Sequence, residues 1–493
     1  MKKYLKYLPI VLILALAFFL RVYKAKELFN YDHDNDLAFW IVKDVLVNHH
    51  LRLIGQQTSV TGVFIGALFY YLQIPFYLIG KMDSYPTVFL TVILGTFSVF
   101  SFYFVFSKIF GKKVGLIGAL IYAVSQLIVF SDREVVPTMP VMVWTVWYLY
   151  DLFLIYKGKQ KTGFILFGIL IALIWHINLA LYVISPLAVL AWILSKKKIQ
   201  WRYFFLGIGL LIVLSAPLII FEARHNFQQT KAVIASVTTN RNLIPQTSTG
   251  WAKLDRVMQL VEENTRNIFL PSISQVPDKL AFIMLVGSFL FLIAAKKISK
   301  EMALTFFLWQ IFYVSFFTAN SLNLSEYYLD GMNVIWIAVA SLTLGCFFEK
   351  RILKAVGVLV LASYSIWNIY LVLNSKGSQM GYVERKAIVK YINEDAEAHG
   401  YPCISISYIT NPGYNLGYRY FFYLDNMHVN DPKSGSPVYT IVFPLSLVDK
   451  FDKRFGVLGL ILPDYIKYNK KDVDKSCQGE NANLTDPMFG YTE

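Results

Sequence analysis

Charge is what this sequence has least of. Of its 493 residues only 16% are Asp, Glu, Lys or Arg, while 56% are hydrophobic; an ordinary soluble domain carries roughly 25% charged residues. The scarcity is uneven. Pro9–Leu20, Val114–Phe130, Ile208–Phe221 and Val356–Leu373 contain no acidic or basic residue. With their polar ends these stretches reach the roughly 17–25 residues that a membrane span needs. So many buried helices in one soluble chain would leave too little polar surface, which excludes a soluble globular protein. Internal repeats, low-complexity tracts and a nucleotide-binding glycine loop are also missing. Ionisable residues are absent from the middle of nearly every apolar stretch, whereas a proton- or ion-coupled transporter usually carries some there. Of three cysteines, Cys346 falls in an apolar stretch; Cys403 and Cys477 share the polar C-terminal region, where a disulfide is open to them.

The first apolar run follows Lys2, Lys3 and Lys6, as in a signal peptide, but Arg21-Val22-Tyr23-Lys24 stands where a small-x-small cleavage site belongs. It reads as a retained anchor with its amino end in the cytoplasm. The net charge of +14 has a local origin. Basic residues gather at Lys2/Lys3/Lys6, Lys108/Lys112/Lys113, Lys157/Lys159/Lys161, Lys196/Lys197/Lys198/Arg202, Lys296/Lys297/Lys300 and Lys350/Arg351/Lys354, with only Glu301 and Glu349 against them. Elsewhere positive and negative residues nearly cancel. This is the signature of cytoplasmic loops, so nucleic-acid binding is not needed to explain the basicity.

The same clusters set the topology. Spans are expected near 4–21, 86–107, 113–130, 138–156, 163–178, 179–195, 203–221, 280–295, 301–318, 332–348 and 353–373, about eleven in all. Gly62–Gly80 is apolar enough for another, but counting it would put most of the later basic loops outside. Gly66 and Pro75 interrupt it, as suits a broken interfacial or re-entrant element. The expected architecture is mainly α: a polytopic transmembrane bundle over residues 1–375, with external loops at about 23–85 and 222–279. A small extracytoplasmic α/β domain follows over 376–493. Trp251–Phe269 is amphipathic, with Leu254, Val257, Met258 and Val261 on one face. In the tail, Val383, Ala387, Ile388, Tyr391 and Ile392 follow helical spacing, while Cys403–Ile409, Tyr418–Tyr423 and Val438–Phe443 read as strands.

Polar groups collect at external span ends. Tyr31-Asp32-His33-Asp34-Asn35-Asp36 sets three carboxylates and an imidazole within five residues. Such neighbours raise one another's proton affinity and supply either a general base or a divalent-metal site at Asp32/Asp34/Asp36. The Gly and bidentate Glu of a calcium loop are missing, and the equally weighted reading is a solvated N-cap for the helix Leu37–Val47. Arg133, within Ser131-Asp132-Arg133-Glu134, either grips a phosphate or is a snorkelling, locally paired arginine. His176 sits alone at a span end, where a histidine is more often structural. Glu222-Ala223-Arg224-His225-Asn226 is a charged span end or part of a site, and Glu326-Tyr327-Tyr328 carries aromatics typical of an interfacial belt.

At these residues a family pattern emerges. The early acidic cluster, long external loop and polar tail resemble the GT-C superfamily of polyprenyl-phosphate-sugar glycosyltransferases, especially the bacterial branch related to protein mannosyltransferases and aminoarabinose transferases. Leu53–Ser59 (LIGQQTS) is similar to that branch's LLGPPTS, Gly66–Tyr71 (GALFYY) to its GPLYYY, and Pro217–Phe227 (PLIIFEARHNF) to its P-x-x-F-[DE]-x-R-H-N-F. The departures, Gln56-Gln57 for Pro-Pro and Ala67 for Pro, bear on the acceptor groove. The resemblance implies Asp32 as the catalytic acidic residue, with His33 in place of the usual Glu or Gln, and Arg133, Arg224 and His225 at the donor phosphate. His33, Asp34, Asp36, Gln57, His176, Glu222, Tyr327 and Tyr328 are further candidates. It implies transfer of a sugar from polyprenyl phosphate, with inversion, to a hydroxyl of a protein, lipid or glycan outside a bacterial cell membrane. No cofactor is assigned beyond the divalent metal left open at Asp32/Asp34/Asp36. The competing class, a transporter or flippase, calls for mid-membrane polar sites and paired repeats. Asp32, Arg133 and His225 are expected to converge on one external cavity.

The charge pattern yields a first test. Reporter fusions after Lys161, Lys198 and Lys300 are expected to read cytoplasmic, and fusions after Ser59, Gln246 and Asp431 external. An external reading at Lys161 overturns the interfacial placement of Gly62–Gly80.

Overall fold

The computed structural model describes residues 6–238, 250–273, 277–320, 324–411 and 413–483; Lys2 and Lys3 of the first basic cluster, and Gln246, lie outside these. The apolar runs form helices because a helix satisfies its backbone groups within one segment, as an apolar surrounding demands. Among the described residues, five helices are long and apolar enough to cross a membrane: Tyr85–Phe110, Gln160–Ile177, Lys300–Ala319, Glu326–Phe347 and Arg351–Leu373. A sixth candidate, Trp201–Leu214 with Ala216–Arg224, is bent by 59° at Ser215, where Pro217 removes a backbone donor. Shorter apolar helices, among them Leu8–Val22 and Val141–Tyr156, complete the bundle. Length and composition alone therefore set fewer spans than the eleven expected, because several runs are short or broken, as at Ser125. Ile352, Leu359 and Ile366 point outward from Arg351–Leu373, an apolar face suited to lipid.

Gly62–Gly80 folds as a hairpin end and a short helix. Strands β1 (Ile54–Gln57) and β2 (Phe64–Gly66) pair antiparallel, and the helix Leu68–Ile79 follows with Pro75 inside it. Twelve residues rise only about 18 Å, well short of the roughly 30 Å hydrocarbon core.

The C-terminal region packs the helix Tyr382–Ala398 beside a five-stranded sheet of β3 (Ile404–Thr410), β4 (Val429–Asn430), β5 (Val438–Phe443), β6 (Lys453–Phe455) and β7 (Leu458–Ile461), in the order β4-β3-β5-β7-β6. β3 is parallel to β4 and β5, and β7 runs antiparallel to β5 and β6. Tyr418–Tyr423, expected as a strand, contributes instead to the short helix Arg419–Leu424. Its aromatic content suggests β structure, but Tyr420 and Phe421 are buried against Phe39 and Tyr31, so packing overrides propensity. The helix Trp251–Phe269 forms as expected, though its buried face runs through Val257, Leu260, Val261 and Ile268, leaving Leu254 and Met258 at its flank.

Two cores result. One fills the helical bundle. The other joins the segment after the first helix to the C-terminal region, with Phe29, Tyr31, Phe39 and Trp40 against Tyr382, Ile388, Tyr420 and Phe421. At its edge Asp83 accepts from Tyr382 Oη at 2.8 Å and pairs with Lys386.

Cys403 and Cys477 form a disulfide, and Cys346 is a free thiol. Such bridges persist in oxidising compartments. Denatured, unreduced protein is expected to take up one polyethylene-glycol maleimide per chain, and reduced protein three; three labels without reductant would exclude the bridge in the native protein.

Candidate functional site

The turn after the first helix carries the acidic cluster. Asp32 is the N-cap of the helix His33–Val47, its Oδ1 accepting the backbone N–H groups of Asp34 at 3.0 Å and Asn35 at 3.3 Å. Asn35 Oδ1 returns a bond to the Asp32 N–H at 3.1 Å, closing a capping box. Both cap bonds fall on one oxygen of Asp32. Burial, then the neighbouring Asp34, raise its carboxyl to about 6, against the pull of the cap N–H groups and Arg385.

Asn35 Nδ2 donates to Val135 O at 2.8 Å, tying the segment Ser131–Val135 to this turn. Glu134, exposed, is raised to about 7 by burial, Asp32 and Glu326. Asp34 is likewise exposed, yet burial is the first cause of its raised proton affinity, with a hydrogen bond from Gln56 opposing it. Side chains open to water but hemmed by protein mark the wall of a recess. Gln56 is fixed from behind by Tyr70, whose Oη donates to its Oε1 at 3.0 Å. Asp330 lies within electrostatic reach of Glu134 and Glu326, and Tyr327 within reach of Asp34. Tyr328 Oη contacts Ser59 Oγ, so the Glu326–Tyr328 turn closes on the β1–β2 connection.

Arg133 is 3% exposed. Its Nη2 donates to Leu20 O and Tyr23 O at the end of the first helix, while Nε and Nη1 are buried without a hydrogen-bond partner. The adjacent Asp132 offers no neutralisation. It is held by Arg21, at 2.8 Å from Nε and 2.5 Å from Nη2, and accepts Tyr122 Oη at 3.0 Å. Arg133 thus differs from the locally paired arginine weighed above: burial and the Arg21 charge lower it to about 10. Two spare donors on a buried cation suit an anion with several oxygens.

Other candidates lie elsewhere. Asp36 is fully buried and accepts Tyr31 Oη at 2.9 Å and the Tyr420 N–H at 3.2 Å, facing the C-terminal domain. The divalent-metal site at Asp32/Asp34/Asp36 is therefore not assembled in this geometry, and among the described residues no three His, Cys, Asp or Glu side chains converge to hold a metal. Glu222 receives the Thr230 N–H at 3.1 Å, serving the helix Gln228–Thr238. His225 Nδ1 bonds Phe221 O at 2.8 Å and its ring stacks on Phe221. With Arg224, His50 and Arg52 it lines a second cavity, beyond Ile54 of β1, so the expected convergence of His225 with Asp32 and Arg133 is not the arrangement seen. Gln57 lies half-buried in β1, and His33 half-buried beside Asp32. Glu134, Glu326 and Asp330 were missed as recess residues. The first two stood in quoted clusters; Asp330 carried no signal beyond its position at a span end.

His176 packs under β2. Its Nδ1 accepts the Leu68 N–H at 3.4 Å, and a Cβ on Gly66 would lie 2.0 Å from that nitrogen. The glycine opening the GALFYY stretch is thus required by the imidazole behind it.

Residues 67–221 match the family model of dolichyl-phosphate-mannose-protein mannosyltransferase. No curated protein matches the chain. Among solved structures, ArnT from Cupriavidus metallidurans bound to undecaprenyl phosphate aligns with TM-score 0.61 and 11% identity, covering 92% of this chain and 97% of that one. Its apo state gives the same score over 93% and 98%. The archaeal oligosaccharyltransferase AglB from Archaeoglobus fulgidus, in complex with an inhibitory peptide and a dolichol-phosphate, aligns at 0.49 and 12% identity over 90% and 69%. The fold is that of the GT-C glycosyltransferases, and the resemblance drawn from the sequence holds.

The Gly66–His176 contact is testable. Gly66→Ala is expected to cost about 1–3 kcal/mol through overpacking, read as a lower unfolding temperature in detergent. His176→Ala on the same background is expected to recover most of it. A double variant no more stable than Gly66→Ala would show that the imidazole is not what the glycine accommodates.

Proposed function

We propose that this protein is an integral membrane glycosyltransferase that moves a sugar from a polyprenyl-phosphate donor to an acceptor hydroxyl on the extracytoplasmic side, with inversion. The observation that carries the reading is the tie between Asn35 and Val135, which joins the turn bearing Asp32, a half-buried carboxylate of raised proton affinity, to the segment bearing Arg133, a buried arginine with unused donors. Asp32 acts as general base. Its Oδ1 is engaged by the cap, and Oδ2 takes the proton of the acceptor hydroxyl as that oxygen attacks the anomeric carbon. The bond to the lipid phosphate breaks at the same carbon, and the phosphate leaves as an anion, so no second acid is needed. Arg133 binds that phosphate and stabilises the charge gained on departure. A carboxyl near 6 is a stronger base than an ordinary aspartate while still mostly ionised at neutral pH. The undecaprenyl phosphate bound by ArnT supports a donor of this class, and the disulfide-linked C-terminal domain supports an external site. In this reading the amino terminus is cytoplasmic, in a bacterial cell membrane. Protein, lipid and glycan hydroxyls are the acceptor classes.

Asp32→Asn preserves shape and cap but removes the proton acceptor, so sugar transfer is expected to fall about 10²–10⁴-fold while donor binding persists. Arg133→Ala is expected to weaken donor binding. The assay is transfer of radiolabelled sugar from a panel of polyprenyl-phosphate donors in membranes, with protein quantified by blot. Near-normal turnover in Asp32→Asn overturns the mechanism.

A further inference from the structure

The C-terminal domain reaches the proposed base directly. Gly417 holds φ +85, and a Cβ there would lie 2.9 Å from Arg385 Nη1 and 3.0 Å from the carbonyl carbon of Asp32; glycine alone adopts this conformation and approach without strain. Arg385 is 4% exposed and lies over the Tyr418 ring at 4.5 Å. Its Nη1 donates to Leu416 O at 2.6 Å and its Nε to Met380 O at 3.0 Å. These acceptors are neutral carbonyls, and among the described residues Arg385 forms no ion pair. A few residues on, the Tyr420 N–H donates to Asp36. The segment 416–420 therefore grips both ends of the turn 32–36.

We infer that Arg385 is a positioning residue for Asp32, supplying from the C-terminal domain the positive charge that keeps this carboxylate ionised while Gly417 clamps its backbone. The inference rests on the reading of Asp32 as the base. Two carboxylates oppose Arg385: Asp34 on the same turn and Glu134 from the segment Ser131–Val135, the latter itself facing Glu326. Both favour the protonated form of Asp32, and Arg385 favours the ionised one. Removing that cation raises the proton affinity of a group that must be deprotonated to act.

The test is the pH profile of kcat/KM for sugar transfer by the full-length protein in detergent. Arg385→Gln is expected to move the acid limb upward by about one pH unit, with activity recovering at higher pH. Arg385→Lys, which keeps the charge, is expected to leave the limb near the wild-type position. Gly417→Ala, which pushes Arg385 and the Asp32 backbone apart, gives a second route to the upward shift. A uniform loss at every pH with the limb unmoved overturns the inference. So does misfolding of both Arg385→Gln and Gly417→Ala while Arg385→Lys folds with a wild-type limb, because the side chain then serves stability alone. Activity retained by Asp32→Asn instead overturns the reading on which this rests, so the two failures are distinguishable.

Discussion

The carboxylate of Asp36 receives the hydroxyl of Tyr31 from its own turn and the backbone N–H of Tyr420 from the far end of the chain. It is fully buried. Leaving a buried polar group without its hydrogen bond costs about 1–3 kcal/mol, so neither segment moves independently. Aromatic rings fill the space around it: Phe39 lies 4.5 Å from both Tyr77 and Tyr420, and Tyr31 lies 4.6 Å from Phe421. Asp32 stands one helical turn before this anchor. Its position at the mouth of the recess is thus inherited from a contact that faces away from it.

The recess walls pose an electrostatic problem for an anionic donor. Asp32, Asp34, Glu134, Glu326 and Asp330 all bear on the same space. The segment Ser131–Val135 divides the field: Asp132 is spent on Arg21, Arg133 keeps an unpaired charge inside the protein, and Glu134 faces outward. In the proposed reaction the phosphate takes the side of Arg133, and the carboxylates face the carbon from which it departs. Positive charge develops on that carbon as the bond breaks, so an acidic wall repels the donor's phosphate from the wrong end and stabilises the transition state at the right one.

Much of this was legible in the sequence because membrane constraints are strong. Apolar length showed where most of the helices fall, and the interruption at Gly66 marks the end of β2, just before the twelve-residue helix Leu68–Ile79. The strands at Ile404–Thr410 and Val438–Phe443 followed from alternation and β-branched content. Side-chain direction was not legible. Asp34 and Asp36 differ by two positions, yet one faces the recess and the other the aromatic core, and only the partner at Tyr420 decides this. Glu222 accepts the Thr230 N–H, and His176, a residue type more often structural at a span end, accepts the distant Leu68 N–H. Gln56, quoted as a departure from the family pattern, meets Asp34 because Tyr70 orients it from the next helix.

The two readings of the acidic cluster, helix cap and catalytic base, are not rivals. A carboxylate has two oxygens with about four lone-pair sites. Capping occupies Oδ1 of Asp32 with two backbone N–H groups and thereby fixes the plane of the carboxylate, so Oδ2 is aimed without needing a further partner. The cap alone lowers proton affinity, as N–H donors to a carboxylate do, and would leave a weak base. Burial and Asp34 act in the opposite direction and prevail. Orientation therefore comes from the helix terminus, and basicity from the balance in which burial and Asp34 outweigh the same cap bonds.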